Sequence, residues 1–261
     1  MNSALRTAAT GMAAQQTRTE VIANNLANVN TTAFKRSRAS FEDLLYQSLR
    51  DVQVVGNADA DTTAAVQVGR GVRLASINRM HAQGSLEQTG RPLDLAVEGE
   101  GFFALRGPSG NPVYTRDGNF QVSDRGVLVN KAGLTLEPGI QIPDQATEIS
   151  IGRTGIVSVL QNGGELVEVG RIPLVRFPNA SGLMSLGENL YQETPASGLP
   201  THGAAEEEGF GHIVSGYLES SNVEIVQEMV EMISAQRAYE INSKSVKAAD
   251  EMSEVATQMI R

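Results

Sequence analysis

Apolar and small residues recur every three or four positions near both ends of the chain. This spacing places side chains on one face of an α-helix and predicts one amphipathic helix at each end. The N-terminal set follows a heptad, whereas the C-terminal set advances by about 3.67 residues per step, the value of an eleven-residue repeat. The N-terminal set is Leu5, Ala8, Met12, Gln15, Thr19, Ile22, Leu26 and Val29, and the C-terminal set is Val226, Val230, Ile233, Arg237, Ile241, Ser245, Ala248, Met252, Val255 and Met259.

The middle of the chain, from about Asp51 to Gly216, alternates short apolar runs with turn residues. It holds all nine prolines and most of the 26 glycines, whereas residues 221–261 contain neither. Because Gly and Pro interrupt helices, the middle is predicted to form a β sandwich or barrel-like domain, and the whole chain an α+β fold.

Local patterns within the middle predict particular elements. Asp117-Gly118 lies between two apolar runs and indicates a hairpin over residues 113–122. Gly126 indicates a second turn, and three regularly spaced apolar runs predict a meander of strands at 148–151, 156–160 and 165–169. Residues 51–68 show little periodicity and are expected to be extended or irregular.

The N-terminal helix has few large apolar residues for its length. Five such side chains along about 28 positions bury too little surface to offset the conformational entropy lost on ordering them. We therefore expect this helix to need partners on more than one side. The simpler alternative, in which both helices pack only on the chain's own middle, remains open.

Charge and composition exclude several classes of protein. The 261 residues carry a formal net charge of −9, which argues against nucleic acid as a partner, and the absence of Cys excludes disulfides and thiolate metal sites. No stretch approaches the roughly 18 apolar residues of a membrane-spanning helix. The first residues lack the apolar block of a cleaved signal peptide, so a secreted product would need another route.

The sequence carries no specific signature of catalysis. Residues 99–104, Gly-Glu-Gly-Phe-Phe-Ala, match a dinucleotide fingerprint in letters, but they continue as a strand and predict a turn. The histidines His81, His202 and His212 lack the spacing of metal ligands, and Glu206–Glu208 is expected to be solvated. We expect no enzyme, no cofactor and no metal ion, although a carboxylate pair from distant segments would leave no such pattern.

Three asparagines, Asn24, Asn25 and Asn28, stand near the end of the predicted N-terminal helix. Asn is a middling helix former, and its amide can bond backbone groups or a neighbouring chain where a helix stops. Two explanations of the asparagines remain open: they cap and end the helix, or they take part in assembly with neighbouring chains.

The run around these asparagines, Val21–Arg36, closely resembles the N-terminal signature of the bacterial flagellar axial proteins, which are rod, hook and hook-associated subunits. Gly216–Glu224 and Met232–Lys244 resemble the C-terminal signature of that family. Residues 41–47, 114–120 and 187–194 resemble its distal-rod members, so the resemblance covers nearly the whole chain. Ala33 stands where the family usually has Gly, from which we expect a backbone that does not need positive φ.

The resemblance implies a structural subunit whose copies stack into a hollow helical drive shaft, transmitting torque through the periplasm to the hook. It implies that both terminal helices form a discontinuous coiled-coil inner domain, with an all-β outer domain between them. The implied boundaries are 1–45 for the N-terminal helix, 46–70 for an extended rod-specific segment, 71–216 for the β domain and 217–261 for the C-terminal helix.

The implied partners are further copies of the chain in a helical homopolymer, the proximal rod and hook proteins, the rings surrounding the rod, and the flagellar type III export apparatus. Nucleic acid and a membrane span are not among them. The predicted assembly interface consists of Leu5, Met12, Ile22, Asn24, Asn25, Leu26, Asn28, Val226, Val230, Ile233, Ile241 and Met252.

Three alternatives remain open at this point. The first is a proximal rod or hook subunit of the same family. The second is a secreted cell-wall hydrolase that uses carboxylates with no recognisable motif. The third is a ligand-binding β module that acts as a monomer and does not need its helices.

Overall fold

The computed structural model describes residues 3–50, 66–108, 110–143, 146–161 and 165–259. Over these ranges the helices are α1 (Ser3–Ala27), α2 (Ile225–Met259) and the short 3-10 helix η1 (Ala180–Gly182). The strands are β1 (Ser37–Asp43), β2 (Tyr46–Arg50), β3 (Val66–Gly69), β4 (Val72–Arg79), β5 (Leu86–Gln88), β6 (Leu95–Glu98), β7 (Phe102–Arg106), β8 (Pro112–Thr115), β9 (Phe120–Val122), β10 (Leu128–Asn130), β11 (Thr135–Leu136), β12 (Ala146–Ile151), β13 (Ile156–Gln161), β14 (Leu166–Arg171), β15 (Pro173–Arg176), β16 (Met184–Gly187), β17 (Leu190–Gln192), β18 (Thr201–Ala204), β19 (His212–Ser215) and β20 (Tyr217–Glu219). The predicted α+β class, with a helix at each end, is confirmed.

The chain divides into two compact units. The helical unit comprises residues 1–27, 37–78 and 224–261, and the β unit comprises residues 28–36 and 79–223. The units therefore interleave along the sequence.

These divisions differ from the boundaries at residues 45, 70 and 216 that the resemblance implies. Residues 37–78 belong with the helices because β1 pairs with β4 and lies beside α1. Residues 28–36 belong with the strands because their backbone is hydrogen-bonded there, as in the 2.7 Å bond from the Ala33 N–H to the Glu219 carbonyl. Sequence periodicity does not reveal this interleaving.

The predicted rod-specific segment, residues 46–70, is described only at its two ends. There β2 and β3 pair antiparallel, with Tyr46 opposite Gly69 and Gln47 opposite Val68. The described part of the expected irregular stretch 51–68 is thus strand from Val66 onward, and residues 51–65 lie outside the described residues.

The β unit is built around strand β7, which is buried on both faces. Phe103 and Leu105 point into the larger apolar core, and Phe102 and Ala104 point into a smaller one with Tyr114. This double burial explains the uninterrupted apolar run after Gly101, and the predicted continuation of that run as a strand is confirmed. The strands of this sheet lie in the order β16-β17-β8-β7-β11-β10-β9, and β15 joins both β7 and β18.

The predicted three-stranded meander is confirmed, since β12, β13 and β14 pair antiparallel in sequence order. The predicted turn at Gly126 is also confirmed. The Gly126 N–H donates to the Ser123 carbonyl at 2.8 Å, and the turn joins the paired strands β9 and β10.

The predicted hairpin at Asp117-Gly118 is wrong. Strand β8 pairs with β7 and β17, and β9 pairs with β10, so the two flanking strands do not pair with each other. Gly118 instead approaches the backbone of β6, where its carbonyl accepts the Leu95 N–H at 2.9 Å. This long-range contact, rather than a tight turn, is the reason for the glycine.

Gly118→Ala is expected to lower the free energy of unfolding of the β unit by about 2 kcal/mol or more, because an overpacked site must shift its backbone. A Cβ at this position would lie 1.5 Å from the Leu95 carbonyl oxygen. Urea unfolding followed by tyrosine fluorescence measures the loss. The matched control is Gly152→Ala, whose nearest neighbour would lie 3.7 Å away. Equal stability of the two variants would contradict the close approach.

Candidate assembly interface

Helices α1 and α2 pack against each other antiparallel within the helical unit. The Arg18 guanidinium lies 3.3 Å from the Glu231 carboxylate, and Asn25 donates to Glu228 at 3.2 Å. Nearer the start of α1, a Cβ added to Gly11 would lie 2.9 Å from Asn242. Residues later in α1 therefore lie beside residues earlier in α2, as expected of an antiparallel pair.

The face of α2 turned toward α1 carries small and polar residues at seven-residue spacing. Glu228, Ala235 and Ala249 are buried, and Asn242, the fourth position of this series, is half-buried. Small side chains at such positions allow two helices to approach closely. We call this set the inner face of α2.

The opposite side of α2 carries the predicted apolar stripe, and every position of that stripe is exposed. We call it the outer face, and it lies about 130° around the helix from the inner face at about 100° per residue. Its large apolar members, with their exposed fractions, are Val226 (70%), Val230 (61%), Ile233 (50%), Ile241 (63%), Met252 (63%), Val255 (55%) and Met259 (83%). The described part of the chain leaves this apolar surface in contact with solvent.

The predicted interface residues of α1 have mixed environments. Ile22 is buried, Leu5, Met12 and Leu26 are half-buried, and Asn24 is exposed. The greater burial follows from the position of α1, which packs on both α2 and β1. An intersubunit role for these residues remains a prediction.

Asn25 joins the end of α1 to the start of β1. Its side chain is 1% exposed and bonds both backbone groups of Ser37, accepting the N–H and donating to the carbonyl, each at 2.9 Å. The same amide nitrogen donates to Glu228 on α2. One side chain therefore holds three segments of the helical unit together.

Asn25→Asp is expected to destabilise the helical unit by about 2–3 kcal/mol, since it leaves buried polar groups without partners. The aspartate loses the amide donor and places a second carboxylate beside buried Glu228. Thermal unfolding by far-UV circular dichroism measures the loss, and the Ser37 amide should exchange hydrogen faster. Asn30→Asp, at an exposed position in the turn after α1, is the matched control and should change stability by less than about 0.5 kcal/mol. Equal losses in both variants would contradict the bridging role.

Asn28 lies just beyond α1, in the turn that leads into the β unit. Its carbonyl accepts the Thr31 N–H at 3.1 Å and its side-chain oxygen accepts the Thr31 hydroxyl at 3.2 Å. The expectation for Ala33 in the same turn is wrong, because its φ is +56° and its side chain is buried. In this conformation its N–H donates to the Glu219 carbonyl at 2.7 Å. A left-handed backbone costs a residue with a Cβ about 1–2 kcal/mol.

A buried charged cluster in the β unit follows this turn. The Lys35 ammonium bonds the Glu219 carboxylate at 2.5 Å and the Ala82 carbonyl at 2.7 Å. Arg116 reaches the other Glu219 oxygen at 3.4 Å. Burial lowers the pKa of Lys35, and the adjacent Glu219 carboxylate opposes that shift. We call Lys35, Arg116 and Glu219 the charged cluster.

The charged cluster fixes the segments on either side of it. Glu219 also accepts the Gly84 N–H at 2.9 Å. The Asn222 side chain accepts the Arg36 N–H and donates to the Met80 and Ala82 carbonyls. Segments near residues 35, 82 and 220 are thereby held side by side within the β unit.

Sequence reasoning missed the charged cluster and Asn222. Lys35 and Glu219 both lie inside the stretches that carry the family resemblance, but a charged residue in a single sequence is ordinarily assigned to the surface. The adjacent Phe34, which is also buried, was the available signal that the segment enters the core.

The described residues hold no group of three or more side chains suited to binding a metal ion. Among the same residues, no helix combines the length and apolarity needed to span a bilayer.

Three parts of the chain match family models. Residues 5–35 match the flagella basal body rod protein, residues 96–159 the flagellar hook protein FlgE/F/G D1 domain, and residues 214–259 the flagellar basal body rod FlgEFG protein C-terminal region. The first and last of these matches contain most of α1 and α2.

Curated relatives align over almost the full chain. The flagellar basal-body rod protein FlgG of Buchnera aphidicola subsp. Acyrthosiphon pisum is 47% identical, covering 96% of each chain. FlgG of Caulobacter vibrioides is 46% identical over 98% of each chain, and FlgF of the same organism is 35% identical over 92% of this chain and 91% of that protein. With such identity over nearly the whole length, the chain belongs to the flagellar basal-body rod protein family.

Proposed function

We propose that the chain is a structural subunit of the flagellar distal rod, a hollow helical drive shaft that transmits torque through the periplasm to the hook. Its function is to form rigid contacts between copies, with no catalytic turnover. Family membership supports the rod assignment, and the outer face of α2 supplies a surface for assembly.

The exposure of the α2 outer face carries this proposal. Contiguous apolar surface is uncommon on soluble monomers and marks a site of association. A face that binds a different surface on the next copy, without closing a ring, generates a helical filament. We therefore assign Val226, Val230, Ile233, Ile241 and Met252 to contacts between copies.

Helices α1 and α2 are proposed to form a discontinuous coiled-coil inner domain. The seven-residue spacing of the α2 inner face and the antiparallel contacts with α1 support such a pair within one chain. The outer faces of several copies would then meet around the central channel, with the β units outside.

The neighbours of the shaft follow from its place in the flagellum. The proposed partners are further copies, the proximal rod and hook proteins, the rings surrounding the rod, and the type III export apparatus that delivers the subunit without a cleaved signal. The acidic balance, 30 Asp and Glu against 21 Lys and Arg, would keep a free subunit soluble before assembly.

Similarity to FlgG favours the distal rod over a proximal rod or hook subunit. The chain is 46% identical to Caulobacter vibrioides FlgG and 35% identical to FlgF of the same organism. Deletion of residues 46–68 separates the alternatives. The deletion should soften or destabilise a distal rod, and unchanged shaft stability would favour another position.

Direct imaging tests the proposal. Basal bodies purified from cells that express an epitope-tagged chain are labelled with antibody and examined by electron microscopy. Label along the rod is expected, whereas label confined to isolated globules would contradict the proposal.

The two other classes have less support. A secreted cell-wall hydrolase has no support from the relatives, which are rod proteins. A monomeric ligand-binding module would not need the helices, yet the family match includes both of them.

A further inference from the structure

The β unit contains a cavity of about 400 Å³ beside the charged cluster. Its buried lining includes Phe102, Arg116 and Phe177, and His81 is half-buried there. The outer lining includes Arg176, whose side chain is 43% exposed, and the more exposed Glu100, whose carboxylate lies 3.8 Å from the Arg176 guanidinium. We call it the His81 cavity, and its volume is in the range of small-molecule sites.

Positive charge exceeds negative charge at the buried end of this cavity. Lys35 and Arg116 share one carboxylate, that of Glu219, and the Lys35 and Glu219 side chains have no exposed surface. Burial of a charge without full compensation is costly, and a bound anion would offset that cost. The buried end of the cavity, next to Arg116, is therefore electrostatically suited to an anion.

The cations near the cavity also affect the pKa of His81. Its pKa is lowered to about 4 by burial and by the cations Lys35, Arg116 and Arg79, with Glu219 opposing them. Its ring also packs edge-on against Phe102 and Tyr191. At neutral pH the imidazole is thus uncharged.

Two nitrogens beside the cavity have unused bonding capacity. Arg116 Nε and His81 Nδ1 are buried without a hydrogen-bond partner within the part of the chain that the structure describes. Arg116 is 5% exposed, and its two terminal nitrogens are engaged by Glu219 and the Gly99 carbonyl. An acceptor next to this guanidinium would complete its bonding.

We propose that the His81 cavity binds a carboxylate attached to an apolar group. The carboxylate lies toward Arg116 and Arg176, and the apolar group packs on Phe102 and Phe177. The ligand is either a free organic acid or an Asp or Glu side chain of another polypeptide, and the same chemistry recognises both.

Benzoate and its neutral isostere benzamide test the site on the full chain at concentrations where it is monomeric. Saturable binding of benzoate, at least tenfold tighter than that of benzamide, is expected by NMR titration. Saturating benzoate should also shift the NMR resonances of the His81 ring at neutral pH, where benzoate carries its charge. This readout is independent of polymer formation.

Arg176→Gln tests the outer cation without disturbing the buried charges and should weaken benzoate binding about fivefold, the effect of one partly exposed charge. Arg153→Gln removes an arginine that does not line the cavity and should bind benzoate like the wild type. Equal affinity for benzamide, unchanged His81 ring resonances, or equal effects of the two substitutions would each overturn the proposal. These measurements do not require a variant of Arg116, whose removal risks unfolding.

A capped Phe-Glu dipeptide separates the two sources of the carboxylate. Tighter binding of the dipeptide than of benzoate indicates the acidic side chain of another polypeptide, and weaker binding indicates a free acid. Failure of both ligands to bind overturns the proposal.

Discussion

Ile233→Asp is expected to abolish incorporation of the chain into the rod while leaving the β unit folded. Ile233 is 50% exposed in the single chain, so the aspartate is solvated before assembly. Burial of the outer face between copies would remove that carboxylate from water, at a cost of several kcal/mol that pairing with Arg237, four positions along the same stripe, would not fully offset. Cells that express only this variant should be non-motile, and purified basal bodies should lack the labelled rod.

Gln236→Asp provides the matched control for Ile233→Asp. It adds the same charge to the same helix at an exposed position about 120° around the helix from the centre of the outer face. We expect it to assemble and support motility, and the circular dichroism of both variants should match that of the wild type. Normal rod yield with Ile233→Asp would refute the assignment of the outer face to contacts between copies.

Glu219→Gln is expected to lower the free energy of unfolding of the β unit by about 3–5 kcal/mol, the usual loss when one partner of a buried ion pair is removed. The substitution leaves the buried cations Lys35 and Arg116 without a carboxylate in the charged cluster. It also weakens the acceptor for the Gly84 N–H. Urea unfolding monitored by near-UV circular dichroism measures the change.

Comparing Lys35→Met with Glu219→Gln separates the effect of removing a cation from that of removing the anion of the charged cluster. Lys35→Met leaves Glu219 paired with Arg116, and the apolar side chain needs no partner, so the loss should be clearly smaller than that of Glu219→Gln. Glu87→Gln, on the exposed part of β5, should be nearly neutral. A larger loss in Lys35→Met than in Glu219→Gln would show that Glu219 does not hold the charged cluster together.

The two helices and the apolar stripe of α2 were predictable because their signal is local. The stripe from Val226 to Met259 consists largely of apolar residues whose spacing alone places them on one face. The inner face of α2 was not predictable in this way, since Glu228, Ala235, Asn242 and Ala249 carry little hydrophobic contrast. Helices held by small and polar residues leave their strongest apolar pattern on the side that does not face the partner helix.

Elements that depend on distant contacts were predicted less well. Asp117-Gly118 has the residue types of a tight hairpin, but Gly118 is required by the approach of Leu95 on another strand. Ala33 adopts positive φ, and its N–H bonds the carbonyl of Glu219, which is 186 positions away in the sequence. Local propensity contains no information about either partner.

The charged cluster illustrates a second limit. Lys35 lies 184 positions from Glu219, and Arg116 lies 103 positions from it. Each residue taken singly favours solvent, and only the fold reveals that their mutual pairing makes burial tolerable.

The two faces of α2 have a mechanical consequence. A seven-residue repeat favours left-handed winding of neighbouring helices, and an eleven-residue repeat favours right-handed winding. Since α2 carries one repeat on each side, we expect the opposing tendencies to cancel and the helix to remain nearly straight. A bundle of such helices would have no built-in sense of coiling and would resist clockwise and counterclockwise twist alike.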